Sequence, residues 1–547
     1  MKKIKEYLLY PILLVISVIA LYQNVTTNQF SGLDDQLMIE ENWDKLTHPN
    51  HAYTAFGDDV FGRPKGSYYR PIQVLSYMPD AYIINSPEPT PKIFFIINTL
   101  LFAFNAVLIF WFLGLFSFNQ LYRFIFTFLY ILHPVLTPGV AWIPGRVDIV
   151  LTILAIISLS FFIKFIRTGK FGWIFLHLLF FALSLFNKET SIVIPVISVL
   201  SVIYFSNFFS QPNAKFDEIK VVLSTDFWIS GLQYALTWLK KNTIIVVGWV
   251  AITLLWYIMR KNALTDDPFS ILRILHQLAF SWIDLTVLIG ASVFPINLQV
   301  YLDISMWYFL WAIPGLVVFI YLPYKIKTPI KDLFFGYAWF VIFIYPTTLA
   351  NLINYHRLAV PLIGLAFIFS PLATKAYRTM KVGFLTLAYS IFLLSQNLSF
   401  QEAFKTPISF WNNAIHHSPT EAMANNGLAW SYHVKHENDS AFKYYQQVLI
   451  YNPNNRDTRI SMGLIAEEQG KHTLADSLLR SEFLVTYDSS FVYFYIGQIE
   501  LERGDTAKAL NSLQHGYSAT KYSRNARLYY DTLAIELKNL LKLEDLD

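Results

Sequence analysis

The sequence contains no cysteine, which excludes disulfide staples, cysteine-ligated zinc and thiol nucleophiles together. Charge is scarce as well, with Asp, Glu, Lys and Arg supplying only 15% of 547 residues. The net charge of +4 is too small for a nucleic-acid binder of this length, so no nucleic-acid partner is expected. What is present is apolar: 54% of the residues are hydrophobic and 17% aromatic, with a mean hydropathy of +0.40. Water-soluble cores rarely hide that much, whereas a bilayer accepts it on the outside of helices. An all-α, polytopic membrane protein with the lipid bilayer as a partner is therefore expected.

The few charges are unevenly spread. Residues 411–547 carry 13 Lys and Arg and 17 Asp and Glu, against 29 and 21 in the first 410. This shift divides the chain into a membrane domain over 1–400 and a water-facing domain over 411–547. Apolar runs long enough to cross a hydrocarbon core of about 30 Å recur eleven times in the first part. They fall at roughly 7–22, 93–117, 121–141, 149–167, 172–187, 189–207, 243–259, 306–323, 332–350, 357–374 and 382–396. The segment 275–294 is interrupted by His276 and Asp284 and is expected to be interfacial or re-entrant. No small-x-small cleavage site follows Ala20, so the first run is expected to be a span and not a signal peptide.

Short loops rich in Lys and Arg stay in the cytoplasm. Four such clusters are Lys2, Lys3 and Lys5; Lys164, Arg167 and Lys170; Lys325, Lys327 and Lys331; and Lys375, Arg378 and Lys381. Eleven spans put all four inside. The first large loop at 23–92, the turns near 142–148 and 188, the region 260–305, Tyr355–Arg357 and the C-terminal domain then face outside.

The C-terminal part repeats itself. Ala441, Ala475 and Ala509 are 34 residues apart, as are Gly463 and Gly497, and Gly470 and Gly504. A 34-residue period with small residues at fixed offsets resembles the tetratricopeptide repeat, in which small side chains let two helices approach closely. The expected units are 420–453, closed by Pro453, then 454–487 and 488–521, with a capping helix at about 524–542.

Polar groups beside a bilayer are costly, so those gathered on one face are candidates for function. The first outside loop holds Asp34 and Asp35, then Glu40, Glu41 and Asn42. A carboxylate pair serves as a general base, a metal ligand or a helix cap, and residue type alone leaves these open. Tyr68-Tyr69-Arg70-Pro71 sets a guanidinium among aromatic rings, as a site or as an interfacial belt. His133-Pro134, Gly145-Arg146-Val147-Asp148, Asn187-Lys188-Glu189-Thr190 and Tyr355-His356-Arg357 complete the set. Their bland alternatives are snorkelling span ends and polar turns. Together they offer one acidic pair and several cations on one side, which suits a base at one end of a reaction and a phosphate leaving group at the other.

Taken in order, these motifs resemble the transmembrane and tetratricopeptide-repeat O-mannosyltransferase family, polytopic glycosyltransferases of the GT-C fold. The resemblance rests on Asp34-Asp35 with Ile39 and Asn42, Tyr69-Arg70-Pro71, His133-Pro134, Gly145-Arg146-Val147-Asp148, Lys188-Glu189-Thr190, and His356-Arg357-Leu358 with Pro361, ahead of the repeats. It implies inverting transfer of a sugar from a polyprenyl-phosphate donor to Ser or Thr hydroxyls of an exported acceptor protein. The implied base is Asp35 or its neighbour Asp34, with Arg70, Arg146, Lys188, His356 and Arg357 around the donor phosphate. Tyr69, His133, Asp148 and Glu189 are further candidates. No cofactor or metal is expected, Mg²⁺ or Mn²⁺ entering only if the donor is a diphosphate. The composition, rich in Lys, Ile, Asn and Phe, suggests a bacterial relative, in which the outside face, with the catalytic loop and the repeats, would be the periplasmic side of the inner membrane; the repeats are expected to hold the acceptor. The alternative is a non-enzymatic membrane scaffold that recruits envelope proteins through its repeats.

Overall fold

A computed structural model describes residues 2–63, 66–206, 208–210, 225–264, 271–300, 306–348, 354–374, 379–485 and 489–520. The side chains of Lys2, Lys3, Lys5 and His276, the residues Lys375 and Arg378, and the expected capping helix at 524–542 lie outside that description. Among the described residues the chain is all-helical, with no strand and one isolated bridge between Gly66 and Leu264. It forms two compact units, Met1–Phe410 and Trp411–Asp547.

The longer helices of the first unit are α1 (Lys2–Tyr22), α2 (Pro91–Gly114), α3 (Gln120–Leu132), α4 (Arg146–Thr168), α5 (Gly172–Asn187) and α6 (Ile194–Phe205). They are followed by α7 (Thr225–Lys241), α8 (Thr243–Ala263), α9 (Ile271–Val293), α10 (Met306–Lys325), α11 (Ile330–Thr348) and α12 (Met380–Glu402). Five segments are long and apolar enough to cross a membrane: Leu8–Thr27, Pro91–Gly114, Ile143–Thr168, Thr243–Ala263 and Met380–Glu402. Each coincides with one of the eleven expected runs. Val247, Val250 and Leu254 on α8, with Phe384, Leu385 and Ile391 on α12, project from the protein surface, as lipid-facing side chains do.

Proline accounts for two departures from uninterrupted spans. The run 121–141 is a bent pair, Gln120–Leu132 and Pro134–Ala141, angled by 61°. Pro134 and Pro138 lack the N–H that would continue the ladder. The run expected over 357–374 is instead a series of short turns, Tyr355–Leu358, Pro361–Gly364, Leu365–Ile368 and Ser370–Ala373, mostly buried. Pro361 and Pro371 open two of those turns. Segment 275–294, expected to be interfacial or re-entrant, is a continuous helix up to Val293, the end of α9.

The second unit contains three successive helix pairs: α13 (Ala422–Val434) with α14 (Asn438–Tyr451), α15 (Thr458–Glu468) with α16 (His472–Glu482), and α17 (Ser489–Glu502) with α18 (Thr506–Thr520). The 34-residue spacing has a packing cause. A Cβ on Gly463 would come within 3.0 Å of Leu479 Cγ, and one on Gly497 within 2.7 Å of Leu513 Cγ, so glycine lets each pair close. Ala441, Ala475 and Ala509 are fully buried. Gly470 and Gly504 turn between paired helices at φ of +70° and +85°, and His436 holds the equivalent place at +59°.

Candidate functional site

Five segments of the first unit meet at one end of its helices. The first is an acidic turn whose shape follows from its sequence. Gly32, at φ +70°, folds the chain back so that the Asp35 carboxylate faces Ser31. Asp35 Oδ2 accepts from Ser31 N at 2.5 Å, and Oδ1 accepts from Ser31 Oγ at 2.8 Å and from Leu33 N and Gln36 N at 3.2 Å each. Asp35 is buried, and both of its oxygens accept hydrogen bonds within the turn. Burial pushes its carboxyl above the usual range, against the pull of those hydrogen bonds.

Asp34 differs from its neighbour. It is half-buried, and its side chain makes no hydrogen bond or ion pair with the described residues. Burial, then the adjacent Asp35, raises its carboxyl to about 6, while the Arg70 charge pulls it down.

Arg70 is the second element. Pro71 starts the short helix Pro71–Leu75, which leaves Arg70 at its lip. The guanidinium grips Glu189 with two prongs, Nε to Oε2 at 3.1 Å and an NH2 to Oε1 at 2.7 Å, and lies 4.7 Å from the centre of the Tyr68 ring. Next to it, Tyr69 is buried against Phe186, and its hydroxyl has no hydrogen-bond partner among the described residues.

The remaining segments close around Asp148, in the first turn of α4 where a carboxylate is favoured by the helix dipole. Lys188 Nζ donates to both Asp148 oxygens, at 2.7 and 2.8 Å. Asn187 Nδ2 donates to Val147 O at 2.9 Å and ties the turn before α6 to the same place. His356 Nε2 is 3.5 Å from Asp148 Oδ2. Arg357 donates to Thr347 O at 3.0 Å, and its Nε has no hydrogen-bond partner among the described residues. Burial, partly offset by Asp148, lowers the Lys188 ammonium to about 8, with the positive charges of Arg70 and Arg357 adding to the fall. Arg70, Lys188 and Arg357 thus face two carboxylates, Asp148 and Glu189, so the cluster holds more positive charge than negative.

Trp142, which sequence reasoning passed over, links the acidic turn to this cluster. Its indole N–H donates to Ser31 Oγ at 3.2 Å, and its ring centre lies 5.7 Å from that of His356. Its position three residues ahead of Gly145-Arg146 was the one available signal.

Arg146 does not face this cluster. It is wholly buried, with Nε donating to Asn98 at 2.5 Å, NH1 to Ser76 O at 2.7 Å, and NH2 to Asp80 and to Phe94 O. The guanidinium lies over the Tyr77 ring, 4.8 Å from its centre. The expected phosphate contact is therefore replaced by a clamp that fixes the start of α4, and with it Asp148, to α2 and to the segment that precedes it. His133 is also turned elsewhere, its Nε2 donating to Ser292 O at the end of α9 at 3.2 Å. Among the described residues no group of three or more His, Cys, Asp or Glu is placed to hold a metal ion.

The chain matches no model of a known protein family, and no curated protein matches it.

Proposed function

We propose that the first unit transfers a sugar from a polyprenyl-phosphate donor to Ser or Thr hydroxyls of exported proteins, with inversion, on the non-cytoplasmic face of a bacterial inner membrane. One observation carries this reading: a half-buried carboxylate whose side chain has no hydrogen-bond or ion-pair partner among the described residues, Asp34, stands beside a partly buried cluster with more cations than carboxylates. The first is what a general base requires and the second what a leaving phosphate requires. The ordered motifs that resemble O-mannosyltransferases of the GT-C class support the same conclusion.

In this mechanism Asp34 takes the proton of the acceptor hydroxyl as that oxygen attacks the anomeric carbon. The bond from the anomeric carbon to the phosphate oxygen breaks, and its electron pair leaves with the lipid phosphate. Arg70, Lys188 and Arg357 stabilise the charge that develops there. A base raised to about 6 is mostly ionised at neutral pH yet more basic than a surface carboxylate. Asp35 acts on Asp34 by holding the turn, which makes Asp34 our assignment for the base. Arg146 positions Asp148 and binds no donor.

The second unit, read as tetratricopeptide repeats, holds the acceptor protein outside the membrane. The scaffold alternative would need no free carboxylate beside a cationic cluster. The deciding experiment supplies purified full-length protein with a short-chain polyprenyl-phosphate sugar and a Ser/Thr peptide. Transfer by wild type that is lost in Asp34→Asn supports the enzyme. A phenotype unchanged in Asp34→Asn, with no transfer by wild type from any polyprenyl-phosphate sugar, supports the scaffold.

A further inference from the structure

Helix α7 has three kinds of surface. One face is buried: Phe227 and Ala235 join Ile203 and Phe208 in a small core, with Phe334 packed against it. A second face is apolar and exposed, with Ile229, Leu232 and Leu236 exposed by 52%, 60% and 47%, and Trp228 beside them. The third is polar and exposed, made of Asp226, Ser230, Gln233, Thr237, Lys240 and Lys241. At 3.6 residues per turn each set gathers into a separate sector of about a third of the circumference. A helix in water needs one buried and one polar face, and a span in lipid needs no polar face. Three sectors suit a helix that meets protein, lipid and water at once.

The contacts of α7 set its direction and depth. Near its start, the Phe227 ring lies 5.5 Å from Phe208, just past the end of α6, and 5.7 Å from Phe334, in the first turn or so of α11. Near its end, the Trp238 ring lies 5.8 and 6.4 Å from Phe162 and Phe165, close to the end of α4. Phe227 and Trp238 are separated by roughly 16 Å of helix, yet both meet the same ends of their neighbours. The helix therefore runs across the ends of the bundle and not along it. Those ends are remote from the candidate site, since Asp148 and Phe165 are separated by about 25 Å along α4, close to the thickness of a hydrocarbon core.

We propose that α7 is an interfacial helix lying in the plane of the membrane, with Ile229, Leu232 and Leu236 set into the acyl-chain boundary of the leaflet opposite the candidate site. The helix is continuous with the membrane through α8, which begins at Thr243 and whose Ile244 and Val247 are exposed apolar residues. Lys240 and Lys241, in its last turn, sit where headgroup phosphates and the negative end of the helix dipole both favour cations. This placement stands apart from the proposed reaction and holds or fails without it.

The absence of cysteine makes the test clean. Leu232→Cys, Gln233→Cys, Leu236→Cys and Thr237→Cys, each in the full-length protein, are spin-labelled and reconstituted into phosphatidylcholine–phosphatidylglycerol vesicles. Accessibility to oxygen and to a water-soluble nickel complex is then compared. All four side chains are on the surface, so none of the substitutions disturbs a core. Positions 232 and 236 should favour oxygen several-fold and share one depth, while 233 and 237 favour nickel. Depth that increases steadily along the helix would make α7 a span, and nickel access at all four positions would make it a water-exposed helix. Either result overturns the proposal.

Discussion

Lys188 donates to both carboxylate oxygens of Asp148, 40 residues earlier in the chain, and both side chains are buried. The pair joins the first turn of α4 to the turn before α6. Removing one partner leaves the other charge buried without compensation, a loss that typically costs about 3–5 kcal/mol. Asp148→Asn and Lys188→Met should each lower the melting temperature of the purified protein markedly. The combination Asp148→Leu with Lys188→Met should recover most of that stability while remaining inactive. A double variant no more stable than the singles would mean that the pair does more than neutralise itself.

Asp34 and Asp35 should separate by the kind of defect they cause. An amide cannot accept a proton, and loss of a general base costs about 10²–10⁴ in rate. Asp34→Asn should show that loss with an unchanged melting temperature. Asp35→Asn replaces one of two acceptor oxygens with a donor NH2, which leaves at least the Ser31 N–H without its acceptor, so it should loosen the turn, at a cost of about 1–3 kcal/mol. Hydrogen exchange over residues 31–36 should speed up in Asp35→Asn and stay as in wild type in Asp34→Asn. Equal exchange in both, with the larger rate loss in Asp35→Asn, would return the base to Asp35.

The pH dependence follows from two groups at the site. Asp34, raised to about 6, works only when deprotonated, so kcat/KM should rise with pH through that value. Lys188, lowered to about 8, stabilises phosphate only when protonated, so kcat/KM should fall above it. The result is a bell whose limbs report the free enzyme. Lys188→Arg keeps the cation charged and should remove the alkaline limb while leaving the acid limb in place. A profile flat through both values would remove both assignments.

What was legible in the sequence divides along physical lines. Apolar runs are a local signal, and five of the expected spans coincide with helices long and apolar enough to cross a membrane. The same signal misjudged 357–374, where Pro361 and Pro371 outweigh composition, and overlooked α7, which mixes apolar residues with Asp226, Lys240 and Lys241. At the candidate site, residue types pointed to Asp35 and Asp34, Arg70, Asp148, Lys188, Glu189, His356 and Arg357, because charged and protonatable groups in a chain this apolar are rare enough to be conspicuous, and the structure brings their segments together. Arg146 was misjudged because its partners Asn98 and Asp80 lie 48 and 66 residues away, and nothing local distinguishes a clamp from a phosphate ligand. Trp142 had only its place ahead of Gly145-Arg146 to mark it, since its bond to Ser31 spans 111 residues.

His436 carries a backbone cost that the repeat pattern exposes. It holds a left-handed backbone at φ +59°, where Gly470 and Gly504 stand in the next two helix pairs, and its side chain is exposed. A side chain in that conformation costs roughly 1–2 kcal/mol. His436→Gly should therefore slow hydrogen exchange across α13 and α14 in the full-length protein. Faster exchange would show that the imidazole contributes more than the backbone strain removes.

A pair of adjacent carboxylates invites a divalent ion, which a diphosphate leaving group would also favour. The acidic turn argues against chelation by this pair. Both oxygens of Asp35 accept hydrogen bonds from Ser31, Leu33 or Gln36, and a cation would compete with those donors for the carboxylate that holds the turn. Positive charge for one phosphate is already fixed in Arg70, Lys188 and Arg357. Transfer should therefore proceed unchanged in EDTA with a polyprenyl-monophosphate sugar, and Arg357→Gln should raise KM for that donor more than it lowers the affinity for the acceptor. Activity that disappears with the chelator and returns with Mn²⁺ would make Asp34 a metal ligand and a diphosphate the donor.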